Sequence, residues 1–185
     1  AVAEIVASLE LDTDSICAAT PISPRGISIS TFERSALMDN MTDKNDFVVA
    51  MTEHLDLKTQ YGDNMSVLSE AERIFYITQT LEMEINNGGF SQFFYNSSGN
   101  FSNELVGAFT AIGANATAAI CQKAISAFGR DIPVDRDERE EMLDELESDE
   151  FDEILEECDN AFCDYEDNLN ELNYNFVMKN KEFFI

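Results

Sequence analysis

The chain is short of positive charge. Its 185 residues hold 11 Lys and Arg against 37 Asp and Glu, a net charge of −26. Phosphate contacts need Lys and Arg, so direct nucleic-acid binding and anionic membrane surfaces are excluded. Trp is absent, and two of the three prolines fall within AATPISPRGISIS near the start. His54 is the one histidine, and no Glu-x-x-His pair of the kind that binds di-iron is present. Cys17, Cys121, Cys158 and Cys163 form no CxxC pair, so neither a zinc ribbon nor a disulfide scaffold is indicated. There is no D-x-[DN]-x-[DN]-G loop, P-loop, dinucleotide fingerprint or G-x-S-x-G elbow. No metal, cofactor or catalytic set is therefore expected. No apolar run approaches the length of a membrane span. The opening AVAEIVASLELDTDS lacks a basic flank and makes a poor signal peptide. A cytoplasmic protein with reduced cysteines is the expectation.

Apolar residues make up 44% of the chain, with 14 Phe, which is enough to build a core rather than a disordered acidic tail. The acids are unevenly placed. Positions 135–167 contain 18 acids and two bases, Arg136 and Arg139. Blocks of like charge usually stay unfolded, but here apolar residues recur at helical spacing. Phe151, Ile154, Leu155, Cys158, Phe162, Tyr165, Leu169 and Leu172 step by three or four, marking one helix face. The expectation is two acidic helices, about 137–147 and about 149–178, with carboxylates outward.

Positions 1–37 read as an N-terminal arm in which ISIST is a candidate short strand, and 38–185 as one acidic all-α domain. Phe47, Val48, Met51, Leu55 and Leu57 predict a first helix ending near Tyr61-Gly62. Ser69 with Glu72 is a capping box, opening a second helix that Asn86-Asn87-Gly88-Gly89 stops. Phe90, Phe93 and Phe94 fit a short helix. Ser102 and Asn115 are expected to cap two more, each followed by Gly. The predicted class is mainly α, a single irregular helical domain.

Within this run, INNGGFSQFFYNSSG (Ile85–Gly99), its preceding helix and the following ELVGAFTAIGANATAAICQKAISAFG resemble a bacterial domain family whose founding member is a DNA mimic. The similarity spans roughly Thr42 to the end. It implies an all-α fold, a homodimer and an acidic surface that occupies the DNA site of a transcription factor. The motif residues Asn86, Asn87, Gly88, Gly89, Phe90, Gln92, Phe93 and Phe94 are read as structural, with an amide network through Asn86, Asn87, Gln92 and Asn96.

Charge density permits mimicry. A DNA strand carries a phosphate about every 3.4 Å, and a helix rises about 1.5 Å per residue. Positions 135–167, if wholly helical, would run roughly 50 Å with a net charge about every 3 Å. Candidate partner-binding residues are Asp137, Glu138, Glu141, Asp144, Glu145, Asp149, Asp152, Glu153, Glu156 and Asp159. The expected partner is a basic DNA-binding protein. Two alternatives stand beside it: an immunity-type antidote to a basic toxin, and an enzyme with a pocket near Asn86–Asn96 using Glu82 or Glu84. Simple solvation by an acidic surface would account for the same charge.

Overall fold

A computed structural model describes residues 43–184; the arm at 1–37, with ISIST and Cys17, lies outside them. Among the described residues there are seven α-helices and no strand. They are α1 (Lys44–Thr59), α2 (Glu70–Tyr95), α3 (Leu105–Ile112), α4 (Asn115–Ser126), α5 (Arg136–Leu146), α6 (Asp149–Cys163) and α7 (Leu169–Lys179). Short 3-10 turns cover Met65–Val67, Ser97–Glu104 and Lys181–Phe183.

α1 starts where the Asp43 carboxylate accepts from the N–H groups of Asn45 and Asp46, and it ends in left-handed Gln60, Tyr61 and Gly62. Its Phe47, Val48, Met51 and Leu55 are buried, and the Phe47 ring meets Tyr174 of α7 edge-on at 5.0 Å. α2 opens with the expected capping box. The Ser69 hydroxyl accepts from the Glu72 N–H, and the Glu72 carboxylate accepts from the Ser69 N–H. Glu72 is itself buried and paired with Lys58.

α2 is the central strut, packed by α3, α5, α6 and the turn at Ser97–Glu104. It is two helices in one. Gly88 and Gly89 leave helical geometry, and Gly89 takes φ +78°, ψ −172°. The predicted stop is therefore a kink, and the helix resumes with Phe90. Phe90, Phe93 and Phe94 are fully buried and seed an aromatic core. The Phe94 ring meets Phe128 at 4.7 Å, Phe128 meets Phe151 of α6 at 5.3 Å, and Phe90 meets Phe162 of α6 at 6.4 Å. Near the C-terminus, Phe184 is buried edge-on against Phe75.

Three expectations are corrected. The acidic helix at 149–178 is two helices, α6 and α7, separated at Asp164–Asn168 where Tyr165 takes φ +47°. The Asn168 side chain then caps α7 by accepting from the Glu171 N–H. Ser102 does not cap α3; it is buried, with its hydroxyl donating to the Gly99 carbonyl. Asn115 does not cap α4 either. It is the first helical residue, and the cap arrives from far along the chain: Asp167 accepts from both the N–H and the hydroxyl of Thr117. The α6–α7 turn thereby supplies what the α4 terminus lacks.

Candidate functional site: the acidic helices and the motif that holds them

Of the 18 acids at positions 135–167, all but Glu140, Asp159 and Asp167 are exposed. On α5 the exposed set includes Asp137, Glu138, Glu141, Asp144 and Glu145; on α6 it is Asp149, Glu150, Asp152, Glu153, Glu156 and Glu157. These recur at three- and four-residue steps, so neighbouring carboxylates share a face about 5–6 Å apart at Cβ. The row is not one rod. α5 ends at Leu146 and the chain turns through Glu147 and Ser148, whose hydroxyl caps α6 by accepting from the Phe151 N–H. With 11 and 15 residues, the two helices run about 16 and 22 Å. The exposed acids named above then fall about every 3–4 Å along each axis, close to the phosphate spacing of one DNA strand. Two cations from outside the block reach it, Arg130 on Glu145 and Lys123 on Glu157 at 2.6 Å. α7 adds little acid, since its Glu171 is engaged by Lys44.

Asp159 differs from the other nine candidate acids. Its Oδ1 accepts from the Phe90 N–H at 2.7 Å, so it caps the second half of α2 at the kink. A Cβ on Gly89 would sit 2.2 Å from Asp159 Oδ2. The motif is where the acidic half docks. Asn86 donates to the Tyr165 hydroxyl at 2.9 Å, Phe90 takes Phe162 and Asp159, and the Phe94 carbonyl takes Arg139. Asn87 is exposed. The expected amide network is corrected: its hub is a carboxylate. Glu84 accepts from Gln92 at 2.6 Å, from Asn96 at 3.0 Å and from the Ser98 hydroxyl at 2.6 Å, while Asn86 turns away towards Tyr165.

Arg139 is the residue the sequence reading undervalued. It is 0% exposed and is the one buried side chain of α5. Its guanidinium donates to the carbonyls of Phe94 (2.6 Å), Asn96 (2.8 Å), Pro133 and Val134 (both 3.0 Å), and to Asn100 Oδ1 at 3.0 Å. The Phe94 and Asn96 carbonyls lie at the C-terminal end of α2, where the helix dipole favours a cation. No carboxylate among the described residues pairs with it. Gly99 is required by this approach, because a Cβ there would stand 2.5 Å from Arg139 Nε and 2.7 Å from the Phe94 carbonyl.

An open groove of about 280 Å³ lies between α1 and α2, lined by Val49, Thr52, Gln79, Glu82, Met83 and Asn86 among others, so Asn86 is its one motif residue. Burial raises the Glu82 carboxyl from its ordinary value, against hydrogen bonds from Tyr165 and Gln79. Burial also raises Asp56 and Asp159, the latter against its bond from the Phe90 N–H. A carboxyl raised in the folded chain contributes stability that is fully present below its unfolded pKa and is lost as pH rises through its folded pKa. Self-repulsion of the acidic face has the same sign. The melting temperature at low salt is therefore expected to rise on acidification from about pH 7 to about pH 5. Thermal melts across that window test this, and a fall would contradict it.

Over residues 66–180 the sequence matches the family described as DMP19-like protein. The match covers more than half of the chain, from just before α2 to the close of α7. The chain belongs to the DMP19-like protein family. This is a DNA-mimic family, and the match includes the glycine kink, Arg139 and all of the acidic block. It is narrower than the resemblance from Thr42 onward, leaving α1 outside. No curated protein and no solved structure matches the chain. Among the described residues, no helix is long and apolar enough to cross a membrane.

Proposed function

We propose that this DMP19-like chain acts as a DNA mimic whose α5–α6 carboxylates occupy the DNA-binding surface of a basic DNA-binding protein. The observation that carries the reading is the exposure of acids on two consecutive helices whose inner sides are fixed to the core by Arg139, Phe151, Leu155 and Phe162. A decoy for a rigid, highly charged ligand has to hold its own charges rigidly, because ordering them on binding would cost affinity. The acting face is Asp137, Glu138, Glu141, Asp144, Glu145, Asp149, Asp152, Glu153 and Glu156; Asp159 serves the fold beneath it. Such a face also steers encounter with cationic partners and loses strength with salt. In this reading the protein works in the cytoplasm, consistent with the free thiols of Cys121, Cys158 and Cys163. A homodimer would bring two such faces together and approach duplex charge density.

The test uses Glu141→Lys, Glu153→Lys and Glu156→Lys together, exposed positions apart from the Arg130 and Lys123 pairs. Immobilised protein is expected to retain a basic DNA-binding protein at low salt and to release it to competing duplex DNA. The triple variant, with a melting temperature no lower than that of the unaltered chain, is expected to bind that protein about a hundredfold more weakly. Equal retention by the folded variant would overturn the assignment. Light scattering with size exclusion checks the dimer.

A further inference from the structure

We propose that Tyr95 and Val134 form an apolar anchor at the edge of the acidic face, and that it takes an apolar side chain lying beside the cationic groove of the basic partner. This deepens the DNA-mimic reading and rests on it.

Tyr95 is the last residue of α2 and Val134 precedes α5; they are 52% and 58% exposed. Their backbones converge on one buried group, since the Arg139 guanidinium binds the carbonyls of Phe94 and Asn96 on one side and of Pro133 and Val134 on the other. Arg136 completes the patch. Its Nε donates to the Tyr95 carbonyl at 3.2 Å, its guanidinium stands 5.5 Å from the centre of the Tyr95 ring, and it pairs with Glu140 at 2.8 Å. The exposed cation in the patch is thus already engaged. Exposed Asp135, the N-cap of α5, and exposed Asp137 and Glu138 of its first turn follow directly.

The chemistry of the occupant follows from charge complementarity. Whatever covers Tyr95 and Val134 must also lie against the acids at the start of α5, so it is basic. Carboxylates alone attract every cationic protein, and that attraction is screened by salt. A rigid Tyr backed by fixed backbone adds a short-range, salt-insensitive contact at little entropic cost. DNA presents no such group along its phosphate rows, so the anchor lets the decoy discriminate among basic proteins and keeps part of its hold as salt rises.

The probes are two labelled synthetic peptides of equal length and charge, one of Lys and Ser, the other with two Ser replaced by Phe. Fluorescence anisotropy with the full chain is expected to show the Phe peptide binding roughly tenfold more tightly, with the ratio kept as salt rises. Tyr95→Ser with Val134→Ser, both at exposed positions, is expected to erase that ratio and leave the Lys-Ser peptide affinity unchanged. Val49→Ser with Met83→Ser, on the α1–α2 face, should leave the ratio intact. Equal binding of the two peptides by the unaltered chain, or a ratio that survives loss of Tyr95 and Val134, or that is lost instead at Val49 and Met83, overturns the anchor. The Glu141, Glu153 and Glu156 reversal should weaken both peptides together. If it does not, the acidic face itself fails, and the anchor with it.

Discussion

Arg139→Met is expected to destabilise the protein by about 3 kcal/mol or more. Four backbone carbonyls and the Asn100 side chain would lose this guanidinium at once, although the Asn96 carbonyl keeps the Gly99 N–H at 3.0 Å. Each buried acceptor left unpaired costs on the order of 1 kcal/mol. The cavity and the lost helix-end charge add to this. Methionine approximates the volume and removes the fork, which isolates the hydrogen bonds. Arg139→Lys should recover little, because an ammonium cannot serve carbonyls spread around a planar group. The loss should begin in α5, whose apolar residues Met142, Leu143 and Leu146 are only partly buried. Amide exchange there should accelerate before the core of α2 opens. Urea unfolding with hydrogen exchange provides the measurement. A Met variant within about 1 kcal/mol of the unaltered chain would show that packing of α5, not its arginine, holds it.

A charged residue is the principal fastener of the most charged helix, and that explains what the sequence concealed. Helical periodicity finds apolar faces, and α6 was legible through Phe151, Leu155, Cys158 and Phe162. α5 offered three apolar residues, and its buried position reads as one more charge in a charged block. The break between α6 and α7 was hidden for a related reason. Phe162, Tyr165, Leu169 and Leu172 keep a three-to-four step straight through the turn, although Tyr165 is left-handed. The turn is held by partners distant in sequence, Asn86 on Tyr165 and Thr117 on Asp167, and no local pattern encodes them. The caps at Ser102 and Asn115 failed for two different reasons: the Ser102 hydroxyl is taken by the nearby Gly99 carbonyl, and the α4 terminus receives its cap from the distant Asp167. The Ser69–Glu72 capping box succeeded because both of its partners are local. In the acidic block, residue type revealed the charge, but only packing separates Asp159 and Asp167 from the acids that face solvent.

Gly89→Ala carries the second large effect, and it links the family motif to the acidic face. At φ +78°, ψ −172° an L side chain is strained by about 1–3 kcal/mol. The added Cβ would stand 2.2 Å from Asp159 Oδ2, so Asp159 must withdraw and the Phe90 N–H loses its acceptor, at about 1–3 kcal/mol more. A total near 3 kcal/mol is expected. Asp159→Asn keeps an oxygen for the Phe90 N–H and should cost only about 1 kcal/mol, while removing part of the stabilisation on acidification, since the raised Asp159 carboxyl contributes to it. Asp159→Ala already surrenders that hydrogen bond. Adding Gly89→Ala to it should then cost less than in the unaltered chain, and a double-mutant cycle should show coupling of about 1 kcal/mol. Strict additivity would mean that backbone strain alone makes Gly89 necessary. Coupling would mean that Gly89 is there to let a carboxylate from α6 reach the kink, so that the glycines at the centre of the motif fix the height and angle at which the acidic helix is presented. Gly89→Ala removes no exposed carboxylate and changes only how they are presented. Measured well below its melting temperature, it should therefore bind the basic partner more weakly than charge alone allows.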